Sequence, residues 1–378
     1  MIKKSIILPG LALIALIVVG ILVIRGLAPQ AENLPLSASG PYFVGRQTLT
    51  FVDSTRTDST FHRESRKLVT EVIYPATKPE DLSTDEFDKF KRVGMIDAKP
   101  DVSGAPYPLI LFSHAWTSTA LTDIVLFTHL ASHGFVVVSI EHSCDTSPEC
   151  LVDRPMDVFF VLNEIAGLHE GNLAGMIDTD HVGVMGISFG GYTTLAAAGA
   201  QNDPEYFLKW AATDGLPTNN VEKYVKNTVA DQWGEVAAYR AQFDTLRDGQ
   251  PWPSVTDKRI RAILPIVPAF GMLFGNHGLE TVAVPTLMMA ATKDQFVPYE
   301  PQITQMYAQL GPADHYLISF IGYDHHPENH AEGMAYYKHF STAFFGYYLQ
   351  GQKSYAPYLT ADFVNGFDDL AWGVIEGK

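Results

Sequence analysis

Cysteine is nearly absent from this chain, with Cys144 and Cys150 the two among 378 residues. So few thiols exclude a disulfide-built scaffold. Their spacing is not that of a redox pair, and the stretch offers too few other ligands for a metal site, so no metal or cofactor is expected. Positive charge is also scarce. Lys and Arg number 26 against 42 Asp and Glu, a net charge of -16. No basic stripe stands out to neutralise phosphates, so no nucleic-acid partner is expected. Internal repeats and low-complexity tracts are missing too, which excludes solenoids and arrays. What remains is an ordinary globular composition, 47% hydrophobic and 18% charged, with 30 Gly and 23 Pro. The length suits one large α/β domain or two small ones.

One uncharged run is long. Lys3 and Lys4 precede residues 5–24, which carry no charge, and Arg25 closes the run. At 1.5 Å per residue it would reach roughly 30 Å, about one hydrocarbon thickness. Pro29 directly follows the small-residue stretch Gly26-Leu27-Ala28 and disfavours cleavage there. Residues 1–28 therefore read as an uncleaved transmembrane signal-anchor with the lysines on the cytoplasmic side. Residues 29–41 read as a tether and residues 42–378 as an extracytoplasmic catalytic domain. In that oxidising compartment Cys144 and Cys150, six positions apart, are expected to close a small disulfide loop. The chain-entropy model values such a loop at roughly 2–3 kcal/mol.

Apolar runs alternating with helical patterns predict a single doubly wound, mostly parallel sheet. Residues 47–52 and 68–74 are the expected first, antiparallel strands, and 77–107 a polar surface excursion with a short helix. Strands follow at 109–112, 135–140, up to Ile187, and at 260–267, 286–291 and 316–321. Helices are expected at 122–132, 154–165, 192–200 and 330–349.

The strand before Ser188 breaks at Gly186-Ile187-Ser188-Phe189-Gly190 and resumes as a helix. This G-x-S-x-G pattern is a nucleophile elbow. Gly186 and Gly190 are needed because a side chain at either place would meet the neighbouring strand or helix. A serine needs a base, and the base an orienting acid. Asp294, ending the strand 286–291 and its turn, is the expected acid, ahead of Asp314 and Asp324. His325, three residues after the glycine that ends the last strand, is the expected base, ahead of its neighbour His326. The developing oxyanion needs two donors. They are expected from the backbone N–H of Phe189 and, after the strand 109–112, from that of Trp116. His114 reads as a structural support of that loop.

The motifs Leu109-Ile-Leu-Phe-Ser-His-Ala-Trp116, Leu130-Ala-Ser-His-Gly-Phe135 and Ser139-Ile-Glu-His142 resemble platelet-activating-factor acetylhydrolases and their bacterial relatives. Asp294 with its strand, and Gly322-Tyr-Asp-His325, look more like dienelactone hydrolases and cutinase-like polyester hydrolases. Two departures separate the chain from the acetylhydrolases. Ala115 and Ile187 stand where those enzymes usually have glycine and histidine, and 265–279, where the vertebrate enzymes place their acid, holds no carboxylate.

These resemblances imply an α/β-hydrolase fold and a serine esterase acting on a small-molecule or lipid ester through an acyl-enzyme. A peptidase, an acyltransferase, a lactone hydrolase or a silent binding protein could be built on the same residues. The aromatic-rich insertion 202–258 is expected to be a packed helical cap, helical from 221 to 243.

Overall fold

The computed structural model describes residues 33–375 except 59–63, 145–146, 214 and 216. The expected anchor, 1–28, and the first residues of the tether lie outside the described residues. Among those described, no helix is long and apolar enough to cross a membrane.

A single sheet runs through the molecule. Its strands are β1 (Phe43–Asp53), β2 (Arg66–Ala76), β3 (Met95–Ile96), β4 (Tyr107–Ser113), β5 (Val136–Glu141), β6 (Ile177–Ile187), β7 (Ile260–Ile266), β8 (Thr286–Ala291), β9 (His315–Phe320) and β10 (Leu370–Trp372). They lie in the order β10-β9-β8-β7-β6-β4-β5-β2-β1-β3. From β5 to β9 every pairing is parallel, whereas β2 meets β5, and β1 meets β2, antiparallel. Parallel strands covered on both faces must be apolar throughout, and β8, Thr-Leu-Met-Met-Ala-Ala, is buried at every residue.

Helices cover both faces: α1 (Thr84–Val93), α2 (Ile124–Ser132), α3 (Cys150–Ala166), α4 (Phe189–Ala197), α5 (Pro204–Ala211), α6 (Asn220–Tyr224), α7 (Trp233–Arg240), α8 (Thr304–Ala308) and α9 (Ala331–Tyr348). The two apolar layers divide by the side each strand residue presents. Leu109 and Leu111 of β4 pack toward α3 and α4, and Ile110 and Phe112 toward α2 and α9. The turn into α1 is fixed by a capping box between Ser83 and Glu86.

Residues 33–41, the described part of the expected tether, lie against the domain. Leu34 and Leu36 are buried, and the Leu36 N–H donates to His339 Nδ1 at 3.2 Å.

Three expectations are corrected. Cys144 and Cys150 are free, buried thiols rather than a disulfide. Cys150 N–H and Leu151 N–H turn back onto Ser147 O and Pro148 O at the start of α3. Burial, with the hydrogen bond to Cys144, pushes the Cys150 thiol well up. The helix expected over 221–243 is broken, with a π-turn at Val225–Val229 and a gap before α7. Helix α3 begins at Cys150, four residues early, since Pro155 at its sixth position is tolerated. The Leu151 carbonyl that Pro155 cannot reach accepts the Tyr192 hydroxyl of α4 at 3.1 Å instead.

Candidate active site

Strand β6 ends at Ile187 and helix α4 starts at Phe189, so Ser188 alone makes the turn. Its φ of 56° and ψ of -110° put a non-glycine residue in a sparsely populated region, a strain of about 1–3 kcal/mol. Ser188 N–H is bound to Ile266 O, and Ser188 O accepts from Gly191, Tyr192 and Ala269. A Cβ on Gly190 would run into the Ser113 carbonyl, and one on Gly186 into the Gly190 carbonyl. The glycines are required by these backbone approaches between β4, β6 and α4.

Asp294 follows β8 and His325 follows β9, at the carboxyl ends of neighbouring parallel strands. His325 Nδ1 lies 2.6 Å from Asp294 Oδ2. The other carboxylate oxygen accepts the N–H groups of Phe296 and Val297, both at 2.8 Å, which fixes its plane. Both side chains are nearly buried. An ionised Asp294 requires the proton on His325 Nδ1, leaving Nε2 as the acceptor.

His326 turns elsewhere. Its Nδ1 pairs with Glu328 Oε1 at 2.9 Å, and that bond raises its pKa. Asp314 accepts the Tyr348 hydroxyl, and Asp324 caps the His326 N–H. Neither of these carboxylates is bonded to His325.

Ser188 and His325 line one pocket of about 480 Å³. Trp116 and Phe296 flank it, and Asn220 and Val221, from the start of α6, form a further wall. The Trp116 ring packs on Tyr224 of α6 with 4.3 Å between centroids. Most other aromatics of the insertion pack on one another, as in the row Phe207–Trp233–Trp252. Phe189 N–H opens α4, where helix geometry leaves amides without partners. Among the described residues neither it nor the Trp116 N–H donates a hydrogen bond.

His114 supports the loop before Trp116. Its Nε2 accepts the His142 N–H at 3.2 Å and its Nδ1 meets Ala115 O at 2.8 Å. Burial, with Arg154 and His142 nearby, lowers its pKa to about 2, so the ring is neutral.

Behind this loop lies a polar cluster that sequence reasoning missed. Ser113 Oγ is 2.9 Å from His142 Nε2, and His142 Nδ1 is 2.8 Å from Asp157 Oδ2. The order imitates a catalytic triad, yet Ser113, His142 and Asp157 are buried and no substrate can reach them. Asp157 also binds Arg66 and Arg56, at 2.7 and 2.8 Å, and Asp153 binds both arginines and the Tyr239 hydroxyl of α7. Burial opposes ionisation of Asp157, but the two guanidinium groups outweigh it and hold its carboxyl far below the usual range. Asp153, where burial prevails, is pushed up to about 6. The available signal was three charged residues in six, Asp153-Arg154-Pro155-Met156-Asp157-Val158, on a helix otherwise apolar enough to be buried.

A family model described as PET hydrolase-like matches residues 102–229, from the approach to β4 through the elbow into the insertion. A Bacillus subtilis (strain 168) protein named "Putative esterase YitV" is 25% identical over 202 residues, covering 51% of this chain and 71% of its own length. The acetylhydrolase resemblance is not carried by these matches. The segment that suggested it falls largely within the PET hydrolase-like one.

Proposed function

We propose that this chain, a carboxylic ester hydrolase of the α/β-hydrolase superfamily, works through Ser188, His325 and Asp294 on esters with an apolar acyl or aryl group. The observation that carries this reading is the 2.6 Å bond between His325 and Asp294 beside a pocket that Ser188 shares. His325 Nε2 takes the Ser188 proton as the hydroxyl attacks the ester carbonyl. The Trp116 and Phe189 amides bind the oxyanion. His325 then protonates the departing alcohol, and water, deprotonated by the same imidazole, releases the acid from the acyl-serine.

The flanking rings of Trp116 and Phe296 support a flat or chain-like apolar group in the pocket, consistent with the PET hydrolase-like match. Residues 202–258 act as a cap by supplying Asn220 and Val221 to that pocket. The uncharged run 5–24 supports anchoring to a membrane with the catalytic domain outside the cytoplasm.

The test is a series of nitrophenyl esters of two to sixteen carbons with the soluble chain from Ala31 onward. Ser188→Ala and His325→Ala should abolish turnover while His326→Ala keeps it. Turnover by Ser188→Ala at the parent rate would sink the reading. A fluorophosphonate label on Ser188 separates an active serine enzyme from a silent binding protein.

A further inference from the structure

The two proposed oxyanion donors stand on separate elements, the loop after β4 and the first residue of α4. Their spacing is therefore set by whatever spans both. Phe270 touches both through its ring, which meets those of Trp116 and Phe189, and Arg154 joins them by a hydrogen bond as well. Arg154, fully buried in α3, donates from Nη1 to the His114 carbonyl at 2.6 Å, two residues before Trp116. Its guanidinium carbon lies 4.2 Å from the centre of the Phe189 ring. We propose that Arg154 is a positioning residue that holds the Trp116 and Phe189 amides at the separation an oxyanion requires, an inference that rests on the proposed reading of Ser188.

The chemistry suits arginine. A planar guanidinium can donate in its plane to a carbonyl while its face lies on an aromatic ring, whereas an ammonium has no flat face to lay there. The helix that carries it is itself immobilised. Asp153, just before Arg154, and Asp157, one turn after it, each form ion pairs with both Arg56 and Arg66. The Leu151 carbonyl left open by Pro155 receives Tyr192 OH, which fixes α3 against α4 one helical turn beyond Phe189. The receiving loop is prepared as well, because neutral His114 is tied to His142 N–H and to Ala115 O. The buried cluster reaches the same loop through His142, whose Nδ1 meets Asp157 and whose N–H donates to His114.

Ground-state binding of an ester does not need the oxyanion donors at their final separation, whereas the tetrahedral state does. Misplacement of a reacting group by about 1 Å is worth on the order of 100-fold in rate. Arg154→Lys should therefore lower kcat by about 10- to 100-fold with KM within about twofold. The affinity for an alkyl trifluoromethyl ketone, which forms a tetrahedral adduct, should fall by the same factor, and that for the product carboxylic acid should not. Phe189→Leu keeps the amide but removes the stacking face, and should lose kcat in the same way. The double variant should lose little beyond the worse single one.

Parent-like kcat in Phe189→Leu would overturn the proposal, as would kcat losses that multiply in the double variant or leave ketone binding intact. If Arg154→Lys does not fold, Phe189→Leu alone decides by the same kcat and ketone readouts. Ser188→Ala runs beside them. Full turnover there would overturn the site reading and this inference with it, while an inactive Ser188→Ala with parent-like Phe189→Leu would remove the Arg154 role alone.

Discussion

Replacing Asp294 by Asn separates its proposed role as the acid from its role in the fold. In the structure one carboxylate oxygen takes the Phe296 and Val297 amides, and the other takes His325 Nδ1 at 2.6 Å. An asparagine can keep its oxygen on the two amides, so the turn after β8 is preserved. Its NH₂ then faces His325 Nδ1 and donates to it. The imidazole must move its proton to Nε2, the atom that should accept from Ser188. The wrong tautomer in an intact triad lowers kcat on the order of 10⁴-fold, about 5.5 kcal/mol of barrier. KM should stay within about threefold, since neither residue binds the ester in its ground state. Initial rates with nitrophenyl butyrate give both constants, and thermal melting followed by circular dichroism checks the fold. An Asp294→Asn protein that folds and keeps more than about a tenth of the parent kcat would refute Asp294 as the acid.

Other outcomes follow from the same geometry. Gly190→Ala must push its new methyl into the Ser113 carbonyl, and should lose at least about 2–3 kcal/mol in urea unfolding; unchanged stability would contradict the tight approach at the elbow. Val221→Phe should narrow the pocket wall and lower turnover of octanoyl and longer esters about tenfold while sparing acetate. An equal fall at every chain length would place that wall off the acyl path. Burial lowers the pKa of His142 to about 4 and of His114 to about 2, below the unfolded value of about 6.5. Their neutral forms therefore stabilise the fold above pH 6.5. That contribution is lost as pH falls toward 4, at up to about 1.4 kcal/mol per pH unit for each ring. Burial raises Asp153 to about 6, which works in the opposite sense between pH 4 and 6. Burial also raises Asp123 to about 7, in the same sense as Asp153, and lowers His129 and, to about 3, His339. With four buried rings against two carboxylates the urea midpoint should fall from pH 7 to pH 5, and a flat or rising midpoint would contradict that balance. Because Cys144 and Cys150 are free, the melting temperature should be the same with and without dithiothreitol. A drop of several degrees on reduction would show a bond between them.

Local pattern carried much of the architecture. Residues 287–291 and 262–266 announce buried parallel strands because both faces of such a strand are covered, leaving an unbroken apolar run. Gly186 and Gly190 announce the elbow because two backbones approach too closely for a Cβ. Asp294 and His325 could be selected because, with the order of strands known, each sits just past a strand's carboxyl end. These signals reside within a few residues, and the amino-acid sequence by itself determined them.

Tertiary packing decided the rest. Arg56 and Arg66 lie about ninety positions before Asp153 and Asp157, and no local periodicity relates them. Their pairing exists because the β1–β2 hairpin and α3 are pressed together in a place that excludes water, where an unpaired charge would be too costly to keep. The same holds for Arg154, which reads as one more helix residue until α3 lands between the His114 carbonyl and the Phe189 ring. The two thiols were drawn together by sequence proximity. Only the fold shows them as two buried, free thiols. Side-chain spacing along a chain records which face a residue occupies, whereas the partner on that face is chosen by how elements pack.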